Sequence, residues 1–235
     1  KYSYKTTQKV GTLVEGSFES YTFSADESKI LLQKDSQPIY RHSFLGKFDV
    51  KDLKSGKTIS LNNGDFVQEP KFSPDGSKVA FIVSNNLFYQ DLNSGKITQI
   101  TTDGKKNSIL NGLGDWVYEE EFGHADFYQW SKGSDALIFV KSDESKVPEI
   151  NIPIYGKNLY PHLMTYKYPK AGETNSTVSA HLYQLASAKT IDLNLSSFEN
   201  YYIPQVFSTA KNDEVAIATS NRHQNKVDIL KINTA

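Results

Sequence analysis

The sequence predicts an all-β fold, a β-propeller of four-stranded antiparallel blades, and three observations carry that expectation. First, apolar residues fall in short β-branched and aromatic runs bounded by turn residues, as in Lys78-Val79-Ala80-Phe81-Ile82-Val83 and Ala136-Leu137-Ile138-Phe139-Val140. No window of about 15 residues carries an apolar stripe at helical spacing. Second, a hairpin pattern recurs. Phe23-Ser24-Ala25-Asp26-Glu27-Ser28-Lys29-Ile30 returns as Phe72-Ser73-Pro74-Asp75-Gly76-Ser77-Lys78-Val79. Looser copies are Trp130-Ser131-Lys132-Gly133-Ser134-Asp135-Ala136-Leu137, and Phe207-Ser208-Thr209 before Glu214-Val215-Ala216. Third, a different turn comes after it: Asp52-Leu53-Lys54-Ser55-Gly56-Lys57, then Asp91-Leu92-Asn93-Ser94-Gly95-Lys96, then a degenerate Gln184-Leu185-Ala186-Ser187-Ala188-Lys189. Two hairpins in fixed alternation make one four-stranded blade. A β-sandwich with similar hairpins is the alternative, and it leaves the alternation unexplained.

Each element then has its place along the chain. The aromatic-Ser landmarks lie 49, 58 and 77 residues apart. A blade takes about 40 to 50 residues, so the second and third units carry insertions, at 103–127 and 141–178. Insertions in repeat architectures tend to carry function. Roughly four units fit in the chain.

Composition narrows the function. The 235 residues are 38% hydrophobic and 23% charged, with 26 basic against 27 acidic side chains. Such a chain is too apolar and too evenly charged to be disordered. No basic surplus exists for a nucleic-acid partner. The absence of cysteine removes disulfides, thiolate nucleophiles and Cys-based zinc sites. No apolar run approaches the roughly 20 residues that span a bilayer. The five histidines show no metal spacing, so neither a metal nor a cofactor is expected. A G-x-S-x-G elbow and the strand–helix alternation around it are both missing. No residue of the chain is therefore assigned a catalytic role, and none of the histidines has a serine partner in such a motif. Only Arg41 and Arg222 are arginines, which matters because a planar guanidinium binds bidentately where lysine cannot.

The first insertion holds Asp115-Trp116-Val117-Tyr118-Glu119-Glu120-Glu121-Phe122. Asp115 is a plausible N-cap of a short helix, and the acidic residues after it favour the positive end. Two adjacent glutamates are long enough to converge on one small cation, and a primary ammonium has three donors to share between them. On charge alone, three consecutive glutamates more often face water. Trp116, Tyr118 and Phe122 argue against that here, because they pull the segment onto protein.

These residues resemble the double-glutamate motif of the dipeptidyl peptidase IV group in the prolyl oligopeptidase family. The likeness extends to Pro38-Ile39-Tyr40-Arg41-His42-Ser43, which is similar to the segment with that family's substrate-binding arginine. It continues in Asp143-Glu144-Ser145-Lys146-Val147-Pro148-Glu149, in Tyr166-Lys167-Tyr168-Pro169-Lys170-Ala171-Gly172-Glu173-Thr174-Asn175, and in Asn221-Arg222-His223-Gln224-Asn225. The resemblance implies that residues 1–235 are about half of an eight-bladed N-terminal propeller domain, with a C-terminal α/β-hydrolase domain of the same parent chain as its partner. It implies that Glu120 and Glu121 hold the free α-ammonium of a peptide, and that Arg41 binds a carbonyl of its first peptide unit. Glu119 would be structural, and Arg222 would tie blades together. His124, three residues past Glu121, either lines the cavity or sits on the surface.

The function implied by that resemblance is a gating and N-terminus-binding region of a serine exopeptidase that removes N-terminal dipeptides with Pro or Ala second. The chain alone would be inactive, since the Ser-Asp-His triad lies in the absent domain. The alternatives are a non-catalytic peptide- or protein-binding propeller and a tripeptidyl relative. Lysine-rich, cysteine-free composition suggests a bacterial member, which places the parent in the periplasm or outside the cell. Open end blades also predict self-association. Two triplets, Asn175-Ser176-Thr177 and Asn194-Leu195-Ser196, fit the glycosylation pattern and carry little weight in so Asn- and Ser-rich a chain.

Overall fold

The structure, a computed structural model, describes residues 14–195 and 200–234. Ser196 of the second glycosylation triplet lies outside the described residues. Four antiparallel sheets succeed one another. The first holds β1 (Ser20–Phe23), β2 (Lys29–Pro38), β3 (Phe44–Asp52) and β4 (Thr58–Ser60) in sequential order. The second repeats it with β5 (Gln68–Phe72), β6 (Lys78–Val83), β7 (Asn86–Asp91) and β8 (Ile97–Gln99). The first insertion supplies β9 (Ile109–Asn111) and helix α1 (Trp116–Phe122). The third sheet comprises β10 (Tyr128–Trp130), β11 (Ala136–Asp143), β14 (Thr177–Gln184) and β15 (Lys189–Leu193), with β9 added against the far end of β11. Between β11 and β14 a separate hairpin stands out, formed by β12 (Glu149–Ile154) and β13 (His162–Lys167). The last sheet is β16 (Tyr201–Ser208), β17 (Glu214–Asn221) and β18 (Val227–Asn233). This is a partial β-propeller. Its blades depart from strict four-strandedness only where β9 joins the third and where the fourth shows three strands among the described residues.

The recurring sequence patterns are recurring hydrogen bonds. Ser24 Oγ donates to Asp26 Oδ1 at 2.7 Å and accepts the Lys29 amide at 3.0 Å. Ser73 does the same with Asp75 at 2.6 Å and Lys78 at 3.0 Å. Ser131 does so with Asp135 at 2.6 Å and Ala136 at 3.0 Å. In the second turn, Asp52 Oδ1 accepts the Ser55 amide at 2.7 Å, and Asp91 Oδ1 accepts the Ser94 amide at 2.8 Å. The glycine that closes each of these turns sits at positive φ, 74° for Gly56 and 76° for Gly95, where a side chain would be strained.

Strand alternation then divides the core. On β6, Val79 and Phe81 pack with Leu31, Phe48 and Val50 of the first blade, while Ala80 and Ile82 pack with Trp130, Leu137 and Phe139 of the third. On β11, Leu137 and Phe139 face back to the second blade, and Ala136, Ile138 and Val140 face forward to Val215 and Ile217 of the fourth. Side chains of successive residues point to opposite sides of a strand, so one continuous apolar run fills two inter-blade cores. The Trp130 indole N–H adds a tie to the Lys71 carbonyl at 3.2 Å.

Candidate functional site

Helix α1 is held at both ends and on one side. Asp115 accepts the Tyr118 amide at 2.9 Å as N-cap, as expected from sequence, and Gly123 at φ 72° closes the other end. Asp115 also accepts from the Ser176 hydroxyl, so part of the first glycosylation triplet is used in packing. Burial, opposed by the Ser176 and backbone hydrogen bonds, raises the Asp115 pKa from its ordinary value. Tyr118 is buried, and its hydroxyl accepts the Ile203 amide of β16 at 3.1 Å. Phe122 packs on Tyr202, with ring centroids 5.5 Å apart. His124 Nε2–H donates to the Pro204 carbonyl at 2.5 Å, so this histidine braces the helix end against β16.

With the helix fixed, its three glutamates take three different positions. Glu119 is buried, and its Oε1 accepts the amides of His42 at 2.7 Å and Ser43 at 3.0 Å. It therefore clamps the loop between β2 and β3 onto the helix. Glu120 meets Arg41 of that loop, whose Nε lies 3.1 Å from both carboxylate oxygens. The pair is unequal in exposure, 72% for the Arg41 side chain and 18% for that of Glu120. Glu121 is exposed and has no hydrogen bond or ion pair among the described residues. Sequence reasoning selected Arg41, Glu120 and Glu121, and the structure brings the first two into contact with the third beside them. An aromatic wall stands next to them: Trp116 packs on Tyr168 at 4.5 Å and on Tyr166 at 6.4 Å, and Tyr40 on Tyr166 at 5.7 Å.

Arg222 lies apart from this cluster. Its guanidinium sits 5.3 Å over the Tyr202 ring and donates to the Tyr202 hydroxyl, which also accepts from Asn175 Nδ2 at 2.9 Å. Arg222 therefore contacts β16 of its own blade, and the link to the start of β14 in the third blade runs through Tyr202 and Asn175.

One arrangement was missed in the sequence. Ser179 Oγ lies 2.8 Å from His181 Nε2, and His181 Nδ1 lies 2.7 Å from Asp192 Oδ1. Ser179 and His181 share a face of β14 because they are two residues apart, and Asp192 is opposite His181 on β15. So one histidine does have a serine partner, though in no nucleophile-elbow motif. The order matches a hydrolytic triad; the setting does not. Ser179 lies on an extended strand instead of a strained strand-to-helix turn. The Asp192 side chain is 88% exposed, whereas a triad aspartate is buried. Burial, opposed by the Asp192 hydrogen bond, lowers the His181 pKa. Among the described residues no cluster of three or more His, Cys, Asp or Glu could hold a metal ion, and no helix is long and apolar enough to cross a membrane.

Fold and site together define a blade-built propeller region with an acidic helix laid across an arginine loop. The chain belongs to the dipeptidyl peptidase IV (DPP IV) N-terminal region family, whose model matches residues 24–235. It is 33% identical over 227 residues to the probable dipeptidyl-aminopeptidase B of Sclerotinia sclerotiorum, covering 89% of this chain and 24% of the relative. It is 29% identical over 231 residues to the inactive dipeptidyl peptidase 10 of Rattus norvegicus, covering 94% of this chain and 29% of the relative. Among solved structures, it resembles Porphyromonas gingivalis dipeptidyl peptidase 4, with a TM-score of 0.88 and 43% identity over 92% of this chain and 31% of that one. The chain thus spans between 24% and 31% of the length of these relatives.

Proposed function

We propose that this chain is the substrate-binding and gating region of a dipeptidyl peptidase IV-like serine exopeptidase, with Glu120 and Glu121 anchoring the free N-terminal ammonium of a peptide. The observation that carries this reading is the unpaired Glu121 beside the Arg41–Glu120 ion pair, on a helix fixed at both ends. An ammonium has three donors, and two adjacent carboxylates accept them with charge-assisted bonds. Arg41 keeps free guanidinium N–H groups for a peptide carbonyl while its Nε holds Glu120. Anchoring the amine at a fixed distance from the nucleophile makes cleavage fall a set number of residues from the end. In this reading the α/β-hydrolase domain of the parent chain supplies the Ser-Asp-His triad and the pocket that selects Pro or Ala. The bacterial neighbour supports a bacterial parent, acting in the periplasm or outside the cell.

In the parent enzyme, Glu120→Ala or Glu121→Ala lowers kcat/KM on Gly-Pro-anilide by at least ~100-fold, from a lost charge-assisted contact and a partner left unpaired. Unchanged kinetics in both variants would remove the assignment. A second reading, a non-catalytic peptide- or protein-binding propeller, is favoured by the likeness to a relative named inactive. The sequence downstream of Ala235 separates the two: a G-x-S-x-G elbow belongs to the first reading only.

A further inference from the structure

Beside α1 lies a cavity of about 480 Å³ that the anchoring residues Glu120 and Glu121 do not line. Its walls come from the arginine loop, from the Lys105–Asn107 segment, from the start of the helix, and from Glu144 just past β11. Ile39, Leu45, Leu110 and Leu113 make much of the surface apolar, and Tyr40 adds an aromatic ring. Volume and lining fall within the range of small-molecule sites, and the space is far larger than a single water needs.

Three carboxylates border it, and two are already engaged. Asp115 caps the helix and accepts from Ser176, and Glu119 accepts two backbone amides. Glu144 is different. It is 5% exposed, and its carboxylate has no hydrogen bond and no ion pair with any described residue. Lys167 approaches but is committed elsewhere, with Nζ donating to the Val147 carbonyl at 2.8 Å and pairing with Glu149 at 3.5 Å. Lys105 and Lys106 border the cavity as exposed residues and pair with none of the three acids. Burial, then the nearby Asp115, push the Glu144 carboxyl up to about 7.

A cavity with an apolar wall of Ile39, Leu45, Leu110 and Leu113 and one buried, unpartnered acid has a definite complement. A buried carboxylate alone is costly, and a hydrogen-bonded cation removes that cost. A metal ion would need more ligands than the site offers. We propose that this cavity binds a small primary ammonium ion with an apolar body, with Glu144 as its counter-charge. The occupant's apolar part packs on Leu110 and Leu113. The occupant also touches Tyr40 and Ser43, which flank Arg41. The inference is independent of the roles assigned to Glu120 and Glu121.

The test is calorimetric titration of the 235-residue chain with cyclohexylammonium, against cyclohexanol as the neutral analogue, at mildly alkaline pH. Saturable binding of the amine and none of the alcohol is expected, with at least a ~10-fold loss in Glu144→Gln and no change in Asp228→Asn, an exposed carboxylate on β18. Equal binding of both probes, no binding of the amine, or a loss no greater in Glu144→Gln than in Asp228→Asn would overturn the proposal. A second readout needs no variant. The ¹³C signal of the Glu144 carboxyl, followed through a pH titration, should show a lower midpoint when the amine is present. A midpoint that does not move contradicts the site.

Discussion

Glu121 and Glu144 both have carboxylates without a hydrogen-bond or ion-pair partner among the described residues, and their surroundings are opposites. Glu121 is open to water on a helix, next to an arginine–glutamate pair. Glu144 is buried in the wall of a cavity that is part apolar and part polar, and burial holds its carboxyl near 7. Solvent makes the first inexpensive to leave vacant, whereas the second resists ionisation until a cation arrives. The open site suits the end of a long peptide that must enter and leave. The recessed one suits a small molecule.

The largest expected effect tests the open side of that contrast, through the at least ~100-fold loss of kcat/KM in Glu120→Ala and Glu121→Ala. Next comes Arg41→Lys, in which the ammonium holds Glu120 but cannot also reach a carbonyl in the same plane. It should lower kcat/KM on Gly-Pro-anilide by about 10-fold, and wild-type kinetics in this variant would make Arg41 a mere surface partner of Glu120. Glu119→Ala separates clamp from anchor. It strips the acceptor from the His42 and Ser43 amides and should cost about 1–3 kcal/mol of stability, read by urea denaturation. A stability within error of wild type would show that the loop holds Arg41 without the clamp.

The smallest effect tests the recessed side through pH. Burial raises both Glu69 and Glu144 from 4.5 to about 7. A carboxyl raised in the folded state favours folding when protonated, so its contribution is complete below the unfolded value and is lost as pH rises through the folded one. Melting temperature should therefore fall between pH 4.5 and pH 7, with a shallower fall in Glu144→Gln. An equally steep fall in that variant would take Glu144 out of the account. The end blades offer one more check. Tyr21 on the first sheet and Val227 and Ile229 on the last are exposed apolar residues, and sedimentation should show association that grows with concentration. A strict monomer at every concentration would contradict it.

The fold was legible because its turns are chemical repeats. Ser24–Asp26 and Ser73–Asp75 recur in sequence because the same hydroxyl and carboxylate close the same hairpin in each blade. The cap at Asp115 was legible for the same local reason. What the chain does at long range was not. Arg41 and Glu120 are 79 residues apart, and only the family resemblance joined them. The clamp made by Glu119 has no sequence signal, since its partners are backbone amides. Ser179 and His181 could have been paired by their two-residue spacing, but Asp192 joins them only through strand register. The hairpin β12–β13 was visible only as an insertion, because its strands are largely exposed, Ile152, Leu163 and Met164 included, and so lack the alternation that marks a half-buried strand.

The central claim is that the paired glutamates read a free amine, and one ratio tests it most directly. In the parent enzyme, kcat/KM for Gly-Pro-anilide is compared with that for its N-acetylated form, in wild type and in Glu121→Ala. The account predicts a preference of at least ~100-fold for the free amine in wild type, collapsing to within about 10-fold in the variant. A preference equally large in both would contradict it.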